Sequence, residues 1–152
     1  MPSANRTAYL ITTVRNMFAA DTTLDVVKVW QDKVYKAEPM VYPYVQSTTF
    51  LETMENGRVE HGVTVFGVFV NVKVPSETLT PTGKATDKYA EVIGKCETCI
   101  NSMTLPVRET HTDTTKTAIT SIAMATQNGF FDMKDQNVNI DFTITVHWTT
   151  AT

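Results

Sequence analysis

Cys96-Glu97-Thr98-Cys99 is a CxxC pair, the spacing used by redox dithiols and by one half of many zinc sites. A structural zinc site needs a complete tetrahedral ligand set, and the remaining candidates, His61, His111 and His147, fall in three separate segments. A redox dithiol sits after a strand, at the start of a helix. Here Tyr89, Val92, Ile93, Cys96, Cys99, Ile100 and Met103 recur at spacings of three and four, so the pair lies mid-helix at i and i+3. The expectation is two reduced cysteines on or near a buried helix face.

Each histidine is a possible base, but no Ser or Cys nucleophile stands in a recognisable elbow and no paired acids accompany one. The glycines form neither GxGxxG nor GxxxxGK, so no phosphate cradle is indicated. No catalytic residue, metal site or cofactor is expected, and the protein reads as a non-enzyme. Trp30 and Trp148 read as core anchors. Glu52, Glu55 and Glu60 surround a turn as a solvated acidic group or, more sharply, as a contact with a neighbouring subunit.

Composition narrows the class. A chain of 152 residues with 42% hydrophobic and 19% charged residues is the size and kind of one globular domain, residues 1–152. The longest apolar run, Val63 to Val70, is far short of the ~20 residues that cross a bilayer. The stretch from Met1 to Ala8 is polar, so no secretory signal is expected and the chain reads as intracellular. A net charge of −3, without a Lys/Arg cluster, lacks the footprint of sequence-independent nucleic-acid binding. Threonine makes up about one residue in six, which suits strands with one wet face.

The elements follow from periodicity. Leu10, Val14, Met17 and Phe18 form one stripe of an amphipathic helix over Asn5 to Ala20. Asp21, Thr22 and Thr23 offer caps for a short second helical turn through Leu24, Val26, Val27 and Trp30. Pro39 and Pro43 make residues 34–45 an irregular or edge-strand passage. Asn56-Gly57 is a type I′ hairpin signal joining strands from Val41 to Met54 and from Val59 to Val74. In the second of these, Val63, Val65 and Phe69 face one way and Phe66, Val68, Val70 and Val72 the other. Both faces are apolar, which places the strand centrally or at a subunit contact. After a loop from Pro75 to Gly83, the second amphipathic helix spans Ala85 to Met103. Arg108 to Lys116 reads as an exposed loop. Strands Thr117 to Thr126 and Asn137 to Thr149 follow, joined through Asn128-Gly129, and in the last of them Val138 to Trp148 alternate strictly with polar residues. The expected fold is α+β: an antiparallel sheet of two long hairpins, with two amphipathic helices packed on one face.

One order of residues adds a resemblance. A helix ending in Ala-Ala-Asp-Thr-Thr-Leu (Ala19 to Leu24), then Asp32-Lys33-Val34-Tyr35, Pro39 and Tyr42-Pro43-Tyr44-Val45, resembles the tail-terminator, or tail-completion, proteins of tailed bacteriophages. The later order of hairpin, helix and paired strands is similar to that family as well. The Thr-rich run from Thr110 to Thr120 and the CxxC match no signature of it.

The resemblance implies a structural subunit of the virion, assembled in the host cytoplasm into a six-membered ring that caps the tail tube. Its partners would be further copies of itself, the tail tube and the neck or connector proteins. DNA would pass through the ring without specific binding, and no membrane would be involved. A ring needs heterologous interfaces that close by rotation, and the two-faced strand supplies candidates: Val63, Val65, Phe66, Val68, Phe69 and Val70, together with Glu52, Glu55 and Glu60 at the hairpin tip. The alternatives are a head-tail connector or other tail structural protein, a small-ligand or enzymatic α+β domain with a pocket between the sheet and the second long helix, and a thiol redox protein resting on Cys96 and Cys99.

Overall fold

A computed structural model of the chain describes residues 6–30, 36–53, 59–74, 81–108, 116–132 and 137–151. Helix α1 (Arg6–Ala19) buries Leu10, Val14, Met17 and Phe18, the stripe its sequence spells. Helix α2 (Pro81–Asn101) buries Val92, Ile93, Cys96, Cys99 and Ile100. Both lie on one face of a single six-stranded sheet in the order β1-β2-β3-β6-β5-β4. The strands are β1 (Asp25–Val26), β2 (Met40–Thr53), β3 (Val59–Lys73), β4 (Val107–Arg108), β5 (Lys116–Asp132) and β6 (Asn137–Ala151).

The sheet departs from a purely antiparallel pair of hairpins. The hairpins β2–β3 and β5–β6 are present, but β3 and β6 join them edge to edge in register from Val59↔Ala151 to Lys73↔Asn137. A short parallel strand also closes one side. The expected helical turn after Thr23 is instead β1, which runs parallel to Met40 and Val41. Asp21 Oδ1 accepts from the Thr23 amide and hydroxyl, making a turn, and Val27 N then donates to Val41 O at 2.9 Å. The β-branched Val26 and Val27 prefer the extended backbone to a helix.

Two turn signals end differently. Asn56-Gly57 lies outside the described residues, between strands that end at Thr53 and begin at Val59. Asn128-Gly129, expected as the second turn, lies inside β5, facing Asp141 and Ile140. Glycine serves packing there, since a Cβ at position 129 would collide with the Tyr89 ring of α2. The expected exposed loop from Arg108 has its first residue in β4, where Val107 and Arg108 pair with Ile119 and Ala118.

Parity along the strands sets the faces. Phe66, Val68, Val70 and Val72 of β3 and Val138, Ile140, Phe142, Ile144, Val146 and Trp148 of β6 point to the helices and form the core with the two helical stripes. At ~25 cal/mol per Å² of apolar surface, each such Val, Ile or Phe contributes about 1.5–3 kcal/mol. Pro43 in β2 faces Val68 and has no neighbour on the other side of the strand among the described residues, where its missing N–H costs no ladder bond.

Candidate functional site

The cysteines are core residues. Cys96 is fully buried and Cys99 nearly so, on the side of α2 that meets α1. Burial pushes the Cys96 thiol up to about 12, and burial raises Cys99 as well. Cys99 Sγ points at the Phe18 carbonyl oxygen, 3.9 Å away. Burial favours the protonated thiols, and both side chains pack in the core, with Cys99 also at the edge of the cleft between the helices.

The other face of the sheet carries no helix of the described chain. The odd-numbered residues of β3 and β6 lie on it, so Val63, Val65 and Phe69 stand there, half-buried. Phe66, Val68 and Val70 point the opposite way, at most 1% exposed beneath the helices. The strand is therefore two-faced, as expected, but one of its faces is occupied by this chain's own core. Glu52 and Glu60 occupy the ends of β2 and β3, with Glu52 opposite His61 and Glu60 opposite Thr53. Their side chains and all of Glu55 lie outside the described residues.

On this open face Trp30 is not a core anchor. It packs on Phe69 (ring centroids 5.5 Å apart) and Tyr42 (6.2 Å), while Tyr44 stacks on Tyr42 (5.6 Å) and Phe69 (5.3 Å). Gly67 permits the arrangement, because a Cβ there would strike the Tyr44 ring. A pocket of about 260 Å³ opens beside Trp30 and Phe69, edged by Asn128, Asn139 and Asp141. Because Tyr42, Phe69, Asp141 and Asn128 are successive cross-strand partners, the aromatic patch passes directly into a polar one. A period-two reading of Tyr42, Tyr44 and Phe69 was the available signal for this cluster. Trp30, outside any strand, carried none.

A larger cleft of about 720 Å³ separates the two helices, lined by Tyr9, Asn16, Asp21, Thr98, Ser102 and Met103 among others. It lies between α1 and α2 rather than between the sheet and α2. Among the described residues no three His, Cys, Asp or Glu side chains converge as a metal-holding group. Two of the three histidines nevertheless meet: His61 and His147, on adjacent strands, have ring centroids 6.0 Å apart. His111 lies outside the described residues.

Apolar side chains also reach solvent near the tip of the first hairpin. Phe50 is 52% and Leu51 54% exposed, at a bulge between Phe50 and Glu52. Beyond Val41, β2 has no outer neighbour among the described residues, and neither has β5 beyond Ile119. No described helix is long and apolar enough to cross a membrane.

The sequence matches no protein-family model and no curated protein. Its fold is shared with solved chains, among them one from the "Virion of native gene transfer agent (GTA) particle". That chain is 11% identical, with a TM-score of 0.54, and the match covers 97% of this chain and 99% of the other. The two have the same α+β architecture from end to end.

Proposed function

We propose that the protein is a structural subunit of a phage-type virion, and within it the tail terminator, a ring at the head-proximal end of the tail tube that joins tail to neck. The observation that carries this reading is the end-to-end likeness to a chain of a gene transfer agent virion, with 97% and 99% of the two chains matched. Surface features support it. The open sheet face presents Val63, Val65 and Phe69, the hairpin tip presents Phe50 and Leu51, and β2 and β5 leave long ladder edges unpaired among the described residues. Unpaired edges and apolar patches favour association with other chains. Two different edges on one molecule suit a head-to-tail interface that closes by rotation.

In this reading the partners are further copies of the chain, six to a ring, together with the tail tube and neck proteins, and the role is assembly rather than catalysis. The net charge of −3 suits a channel through which DNA slides without being held. Native mass measured over a range of concentrations, with negative-stain imaging, tests the proposal. A hexamer with a central hole is expected, and it should cap purified tail tubes. A connector would instead bind the head side. A strict monomer, alone and with tubes present, overturns the reading.

A further inference from the structure

The pairing of β3 with β6 brings together two imidazoles that lie 86 positions apart in the chain (147 − 61). His61 stands opposite Thr149 and His147 opposite Val63, so the two histidines are diagonal neighbours on the open face. Their rings are 6.0 Å apart between centroids and inclined by 37°. Both side chains are half-buried, so each keeps a path to solvent. The protein's core leaves this pair unused, since the helices cover the other face of the sheet.

We propose that His61 and His147 form a two-imidazole site for a divalent transition-metal ion of the zinc, copper or nickel class. Imidazole nitrogen suits these ions, which it binds at about 2.0–2.1 Å. Two nitrogens on one ion at a tetrahedral angle bring the ring centroids to about 5 Å. The observed separation closes to that value by a turn of about 10° in χ1 of each ring, which stays within a staggered well, while χ2 aims the nitrogens. The pair is held on two fully registered central strands, so the backbone is already organised and only the rings adjust. Water completes the coordination on the exposed side. On the same face Ser121 is in register with His147 and Thr149 with His61, which places hydroxyl oxygens beside the pair. Soft thiolate competition is absent within the fold, because Cys96 and Cys99 are buried on the helix side of the sheet.

The test is calorimetric titration of the untagged protein with Zn²⁺ and with Ni²⁺, repeated on His61→Gln, His147→Gln and His111→Gln. One ion per chain is expected for the wild type and for His111→Gln. Either His61→Gln or His147→Gln should bind at least about tenfold more weakly, a difference of about 1.4 kcal/mol. Circular dichroism must show all variants folded. Addition of Ni²⁺ should also broaden the imidazole NMR signals of His61 and His147 before any others. Absence of saturable binding, binding that survives both substitutions, or binding abolished by His111→Gln overturns the proposal. His147 stands opposite Val63 on the face offered for assembly, so native mass is measured beside each titration, and weaker binding at unchanged mass separates the site from the assembly role.

Discussion

Trp148 Nε1 donates a 3.0 Å hydrogen bond to Thr64 Oγ1, joining β6 to β3 inside the core with both residues at most 1% exposed. Thr64 Oγ1 lies in turn 3.1 Å from Thr48 Oγ1 of β2, so a polar relay crosses three strands from the buried Trp148 to the exposed Thr48. A buried indole N–H requires such an acceptor. Thr64→Val keeps the volume and removes the acceptor, so it should cost about 1–3 kcal/mol in urea unfolding. Thr64→Ser keeps the hydroxyl and should recover part of that loss. Equal stability of wild type and Thr64→Val would show that the bond carries nothing.

The glycines should respond to alanine in a definite order. A Cβ at Gly62 would meet the Trp148 ring and stand 2.8 Å from the Thr49 carbonyl oxygen, neither of which can move away cheaply. Gly62→Ala should therefore cost about 1–3 kcal/mol. At Gly67 the obstacle is the half-buried Tyr44 ring, whose far end can swing into solvent, so the cost should be smaller. Gly94 is in α2 with nothing within 4 Å, and Gly94→Ala should stabilise by about 0.5–1 kcal/mol. Thermal unfolding of the three variants checks the order.

The cysteines give a pH signature. Burial raises the Cys96 thiol from an ordinary value of 9.0 to about 12 in the folded chain, while the unfolded chain ionises near the ordinary value. Its contribution is therefore fully present below pH 9 and is lost as pH rises toward 12, at up to about 1.4 kcal/mol per pH unit. The difference in stability between wild type and Cys96→Ala should show this slope. In native protein at pH 8 both thiols should resist a disulfide reagent, and both should react once denatured.

Assembly should be separable from folding. Leu51 is 54% exposed, so Leu51→Asp should change unfolding stability by no more than about 0.5 kcal/mol. Val65→Glu places a charge on the open face, away from the helices. Either change should abolish the ring in native mass measurements while leaving the circular dichroism intact. A ring that persists in both would move the subunit contact elsewhere on the surface.

Local patterning determined the elements. The stripe Leu10, Val14, Met17 and Phe18 and the alternation from Val138 to Trp148 each bury the residues that their period selects, because one backbone geometry repeats within each element. The same parity divided β3 into Val63, Val65 and Phe69 against Phe66, Val68, Val70 and Val72. Parity does not say which face the helices cover, and that choice turned Phe66, Val68 and Val70 into core. Turn chemistry misled at Asn128-Gly129, where glycine answers to the Tyr89 ring rather than to a reversal of the chain. The short strand β1, the place of Trp30 on the open face and the meeting of His61 with His147 depend on contacts between segments distant in sequence. Such contacts are selected by the free energy of the whole packed arrangement, and no local period encodes them.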